Sequence, residues 1–146
     1  MPEIIIRRAG LSDLEHLSEL FVDFIGKGSN IHRMEQQLKT IQQDANYYVA
    51  VADDGRKVVG TAMGIICHDL VGECGTFMVA ENVVVAPETQ GRGVGKRLME
   101  SLEDFGRSRG CKYVILVSEI ERAGSHAFYG AIGYTDDQKG FKKKLL

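Results

Sequence analysis

The segment Gln90, Gly91, Arg92, Gly93, Val94, Gly95 most narrows what this chain can become. Three glycines at alternate positions stand where an apolar strand ends and an amphipathic helix begins. At such a junction the first N–H groups of the helix lack an intrahelical partner, and the helix dipole adds partial positive charge. Both favour an anion. Gly91, Gly93 and Gly95 carry no side chain to hold a diphosphate away from those amides, and Arg92, Lys96 and Arg97 add mobile positive charge nearby. Without a strand and helix around it, the same run would read as an ordinary turn. A dinucleotide fingerprint needs G-x-G-x-x-G, but Lys96 occupies its third glycine position. A P-loop needs four residues between its glycines and then Gly-Lys-Ser/Thr, and here Arg97 follows Gly95 and Lys96.

The surrounding residues predict an α/β chain. Residues 3–8 form a first strand, and Ser12 with Glu15 makes a capping box for a helix with Leu14, Leu17, Phe21, Phe24 and Ile25 on its apolar face. Ile31, Met34, Leu38 and Ile41 repeat at helical spacing over residues 31–45. Strands at 47–52 and 57–67 flank Asp53, Asp54, Gly55 and Arg56, a hairpin turn because glycine tolerates positive φ. After a polar loop at 68–75, residues 76–85 form a long apolar strand that Pro87 stops. Val94, Leu98, Leu102 and Phe105 mark a helix ended by Gly110, and a buried strand follows at 112–117, which implies a parallel crossover. A helix at 124–132 and closing β segments, around Tyr134 and at 141–145, complete a mixed sheet flanked by helices. With 44% hydrophobic and 26% charged residues, 146 residues suffice for one such domain over 1–146.

Lys and Arg total 18 against 20 Asp and Glu, a formal net charge of -2, so nothing draws the whole chain to a polyanion and nucleic-acid binding is disfavoured. Ile4, Ile5 and Ile6 are followed at once by Arg7 and Arg8, too short an apolar run for a membrane span or a signal peptide. The expected location is the cytoplasm. Cys67, Cys74 and Cys111 cannot all pair and match no zinc spacing, so buried or reduced thiols are expected and no metal.

The segment 81–95 fits Q/R-x-x-G-x-G/A without a gap and resembles the central strand and coenzyme A loop of the GCN5-related N-acetyltransferase (GNAT) family. Residues 126–134, with Phe128 and Tyr129 followed by Gly130, Gly133 and Tyr134, are similar to that family's later helix, and 141–145 to its ending. The resemblance implies the acyl-CoA N-acyltransferase fold, a mostly antiparallel mixed sheet whose parallel central strands splay at the coenzyme site. It implies acetyl-CoA as acyl donor, held by Val83, Val84 and Val85, by Gln90, Gly91, Arg92, Gly93, Val94, Gly95 and Lys96, and by Ser125. The implied acceptor is a primary amine, of a small molecule before a peptide or protein, beneath a lip formed by the helices over 14–45. Homodimers are common in that family. Where the family often has Asn seven residues before the tyrosine, this chain has Arg122, and Ser125 replaces the usual Ala.

Chemistry then asks for proton handling. An alkylamine of pKa ~10.4 is only on the order of one part in a thousand free base at pH 7, so something must accept its proton. Glu81, ahead of the binding segment, is the candidate base; a solvated or ion-paired carboxylate is the equal alternative. Tyr129, with an ordinary pKa of ~10, can protonate the departing thiolate; aromatic core packing is its alternative. Asp69, Glu73, Glu81 and Glu119 offer a cationic amine a negative approach, or are simply solvated. Cys111, beside Gly110, reads as packing rather than as an acyl-enzyme nucleophile, so transfer is expected to be direct. A non-catalytic acyl-CoA-binding module would keep the loop alone, and Glu81 with Tyr129 speaks against it.

Overall fold

A computed structural model describes residues 3–118 and 122–146, which fall into two compact units, one ending at Ile115 and one beginning at Leu116. The first carries β1 (Ile5–Arg8), α1 (Leu14–Ile25), α2 (Ile31–Gln42), β2 (Tyr47–Asp53), β3 (Val58–Cys67), β4 (Phe77–Val85) and α3 (Val94–Ser108). After α3 comes β5 (Val114–Leu116), and the second unit holds α4 (Ala123–Ala131). The strands lie in the order β1-β2-β3-β4-β5, antiparallel through β4 and parallel between β4 and β5, so the sheet is mixed as its pattern predicts. Among the described residues no helix is long and apolar enough to cross a membrane.

The two-residue period of β3 assigns the faces of the sheet. Gly60 and Gly64 turn toward α3, where a Cβ on Gly64 would lie 2.8 Å from the Met78 sulfur and one on Gly60 would lie 3.0 Å from Leu98. Their missing side chains let Val94, Leu98, Met99 and Leu102 of α3 settle on the strand, all buried. Thr61 and Met63 turn the other way, toward α1 and α2. Between β2 and β3 the turn forms at Gly55, φ 91°, with Asp54 Oδ1 accepting the N–H groups of Arg56 and Lys57.

The start of α1 departs from expectation. Ser12 and Glu15 form no capping box; residues Leu11–Asp13 make a 3-10 turn, and Asp13 Oδ2 accepts the Gly10 N–H at 2.7 Å. Asp13 is held there by Arg7, whose guanidinium reaches both of its oxygens at 2.8 Å and Asp53 at 3.0 Å. Asp13 is buried, and the Arg7 hydrogen bonds, opposed by burial, hold its carboxyl below the usual range. A lowered carboxyl pKa stabilises the fold above the unfolded value, and that contribution is lost as pH falls through the folded one. Asp13→Asn is therefore expected to cost about 2 kcal/mol at pH 7, since it removes charge-assisted bonds from a buried site. Urea unfolding checks this: the gap from wild type should shrink toward pH 3, and a gap that does not change with pH would refute the assignment.

Other boundaries shift for local reasons. On α1, Leu20 is buried and Ile25 is 58% exposed, because Ile25 holds the last helical position before Gly26 turns the chain at φ 84°. The α2 helix stops at Gln42 rather than at 45, because Asp44 Oδ1 accepts the Asn46 N–H and turns the chain into β2. The last strand spans three residues, not 112–117. No strand forms around Tyr134 or at 141–145. The Tyr134 N–H bonds back to the Tyr129 carbonyl at 2.9 Å, closing α4 instead of joining a ladder. Lys142, Lys143 and Lys144 interrupt the alternation a half-buried strand requires, and Phe141 and Leu145 are exposed.

Candidate functional site

The strand that leads into the glycine loop carries an irregularity that the pattern of residues did not reveal. Between the pairs Thr61 with Val84 and Met63 with Glu81, β4 advances three residues against two on β3, and Asn82 sits at φ 54°. Such a bulge frees backbone groups from the ladder and re-aims neighbouring side chains. The available signal was Asn82 itself, since asparagine tolerates the left-handed region better than most residues with a Cβ. Past the bulge Val83, Val84 and Val85 are half-buried, with Val84 and Val85 paired to Thr61 and Gly60.

Beyond Val85 the chain makes a 3-10 turn at Pro87–Thr89, and the Gln90 side-chain amide donates to the Val85 carbonyl at 3.1 Å. Gln90 thus ties the loop to the strand end. Gly91 and Gly93 lie at φ 82° and 78°, and a Cβ on either would meet no protein atom within 4 Å. Among the described residues nothing accepts a hydrogen bond from the N–H groups of residues 91–96, and α3 opens at Val94 with no side-chain cap. Buried Val94 anchors the helix end, while Arg92, Gly95 and Lys96 remain accessible. Arg97 is not mobile charge as expected: its Nη1 donates to the Ile4 carbonyl at 2.8 Å. Unpaired amides, an open face and two exposed cations suit a diphosphate.

Glu81 is exposed and makes no hydrogen bond or ion pair among the described residues. Its neighbour Asn82 lines a cavity of about 530 Å³ between α1, α2 and the sheet. Leu14, Phe21, Met34, Ile41, Val49 and Met63 supply much of the wall. The first unit thus gathers Glu81, the valines, the glycine loop and this cavity along β4.

Tyr129 and Ser125 belong to the second unit, one turn apart on α4. Tyr129 is half-buried, edge-on to Phe128 at 5.1 Å and to Tyr134 at 5.8 Å between ring centroids. Burial pushes its phenol pKa up, with the charge of Arg122 opposing, so it keeps its proton at neutral pH. Arg122 stands at the N-cap of α4, and His126 is exposed.

The cysteines are free but not all buried: Cys74 is exposed in the loop before β4, and Cys67 and Cys111 are half-buried. Burial, with a smaller contribution from Cys67, pushes the Cys111 thiol up and disfavours a nucleophilic thiolate. Asp69 is not simply solvated, because its Oδ1 accepts the N–H groups of Leu70 and Val71. Glu119 lies outside the described residues.

Residues 14–134 match the model of the acetyltransferase (GNAT) family. Over 95 residues, 63% of this chain, the sequence is 33% identical to glucosamine 6-phosphate N-acetyltransferase 1 of Oryza sativa subsp. japonica and covers 55% of that protein. Over 94 residues, again 63% of the chain, it is 31% identical to an aminoglycoside N(6')-acetyltransferase type 1 of Stenotrophomonas maltophilia, covering 61% of it. The chain therefore spans between 55% and 61% of the length of these two curated relatives. The same fold is found in the crystal structure of glucosamine-6-phosphate N-acetyltransferase from Arabidopsis thaliana, with a TM-score of 0.88, 24% identity, and coverage of 98% of this chain and 99% of that one. Because the family model takes in the bulged strand, the open glycine loop and α4 together, the chain belongs to the acetyltransferase (GNAT) family.

Proposed function

We propose that this protein is an acetyl-CoA-dependent N-acetyltransferase, working as one domain over residues 1–146 and passing the acetyl group directly to the primary amine of a small molecule. The observation that carries this reading is the row of unpaired N–H groups at 91–96 behind an open glycine face, a cradle for the coenzyme's diphosphate. A family model crossing both units supports the single domain. A small acceptor is supported by the cavity beneath α1 and α2 and by the size class of the amines for which the relatives are named, glucosamine 6-phosphate and aminoglycosides, which are small molecules and not proteins. Three free thiols suit a reducing cytoplasm.

In this reaction the amine nitrogen attacks the thioester carbonyl, an N–C bond forms, and the C–S bond breaks. Glu81 takes the proton from nitrogen, directly or through water, and Tyr129 donates its proton to the leaving sulfur. A backbone N–H of the segment Val83, Val84 and Val85, past the bulge, faces the growing charge on the carbonyl oxygen, while the backbone of the same segment holds the coenzyme. Gln90 and the loop residues through Lys96, with Ser125, hold the coenzyme. The disfavoured Cys111 thiolate supports direct transfer over an acyl-enzyme.

Thiol release from acetyl-CoA across a panel of amines, with calorimetric titration of the coenzyme, tests the proposal. Binding without turnover on any amine would leave a sensor in place of an enzyme, and absence of binding would end both. Tyr129→Phe should lower kcat by about tenfold to a hundredfold, at the low end for an acid because a thiolate already leaves well, with coenzyme affinity within about twofold. An unchanged kcat would remove Tyr129 from the mechanism.

A further inference from the structure

We propose that the acceptor is a primary amine carried on an apolar body, an alkyl or arylalkyl amine, and not a phosphorylated or polyhydroxylated amino sugar. This rests on the acetyltransferase reading of the same site.

The cavity beside Asn82 is large enough, at about 530 Å³, for a compact organic molecule. Five of its wall side chains, Phe21, Met34, Ile41, Val49 and Met63, remain only half-buried in the folded chain, so apolar surface inside it is still uncovered. An apolar ligand would remove that surface from water.

The polar part of the wall has little to give a sugar. Thr61 already donates to the Ala50 carbonyl at 2.8 Å, and Thr40 to the Gln36 carbonyl at 3.1 Å. Asp44 Oδ1 accepts from the Asn46 N–H at 2.9 Å. Gln37, Asn82, the Tyr47 hydroxyl and the second carboxylate oxygen of Asp44 are left for a ligand. Burying several hydroxyl groups against these walls would strand most of them without partners.

Charge points the same way. Among the described residues no Lys or Arg lines the cavity, so a phosphate in it would have no counter-charge. A second cavity, of about 330 Å³, shares Leu38, Ile41, Asp44, Tyr47 and Val49 with the first and includes Arg8 and Arg109. Neither guanidinium lines the first cavity, and each already gives an N–H to a backbone carbonyl in the wall of the second. Arg8 donates to the Tyr47 carbonyl and lies 4.6 Å over the Tyr48 ring, while Arg109 donates to the Ala45 carbonyl and lies 5.2 Å over Phe105. An ammonium group meets the opposite condition, with Asp44 on the wall and Glu81 next to Asn82.

The test uses the whole protein saturated with coenzyme A for binding, and with acetyl-CoA for turnover. 2-Phenylethylamine and glucosamine 6-phosphate are titrated calorimetrically and compared in thiol release. The expected result is at least about tenfold tighter binding and about tenfold higher kcat/KM for phenylethylamine. Ile41→Arg should weaken its binding by about tenfold or more, with coenzyme affinity unchanged, and Val49→Trp should do the same by filling the cavity without adding charge. Equal or tighter binding of glucosamine 6-phosphate, no binding of phenylethylamine, or indifference of its affinity to both variants would overturn the proposal. Amine binding that responds to the variants without thiol release would uphold the cavity assignment and sink only the transferase reading.

Discussion

Gly93→Val is expected to raise the dissociation constant of acetyl-CoA by about a hundredfold or more, the size of losing two charge-assisted hydrogen bonds. Gly93 sits at φ 78° immediately before α3, and the space in front of it is open. A valine there meets no protein atom, so its branched side chain would project into the volume the diphosphate must enter to reach the amides. It also carries a left-handed backbone penalty of roughly 1–2 kcal/mol in the free protein. Gly55→Val separates the two effects. Gly55 has φ 91° and equally open surroundings, but it sits in the hairpin between β2 and β3. Both variants should lose similar stability in urea unfolding, and only Gly93→Val should lose coenzyme. Equal coenzyme affinity in the two variants would show that the loop does not hold the diphosphate.

Glu81→Gln should lower the rate at pH 7 by about a hundredfold, within the usual range for a lost general base. The variant would depend on amine that is already deprotonated, so its rate should climb about tenfold per pH unit until the amine's own pKa, ~10.4, is reached. Wild type, with a carboxylate to take the proton, should be much flatter between pH 7 and 9. Glu81 suits this task because it is exposed, has no bonded partner among the described residues, and precedes the Asn82 bulge at the cavity. Superimposable pH profiles would dismiss it as the base and leave a solvated carboxylate.

Features written in short-range pattern are legible in the amino-acid sequence. The hairpin at Gly55, the amphipathic face of α3 and the strand leading to the glycine loop all follow from periods and turn chemistry that need only neighbouring residues. Features that depend on a partner distant in sequence were misread. Asp13 is held by Arg7, which also reaches Asp53, 46 residues along the chain, and the cap does not fall to Ser12 and Glu15, while Arg97 bonds to Ile4, 93 residues away. The chain past α4 carries apolar residues that read as strand, yet a strand exists only where another edge accepts it, and none forms over 132–146.

By itself the sequence determined a diphosphate-binding loop, because glycine spacing at a strand–helix junction is a local property, and the backbone conformations it requires are those adopted at Gly91 and Gly93; the coenzyme class followed from the family that the loop and its flanking segments resemble. Only the tertiary structure decided the rest of the site. The bulge at Asn82 arises from the register of β4 against β3, and the apolar cavity beside it arises from α1 and α2 packing across strands that carry Val49 and Met63. Register and cavities belong to pairs of elements, and no single segment encodes them.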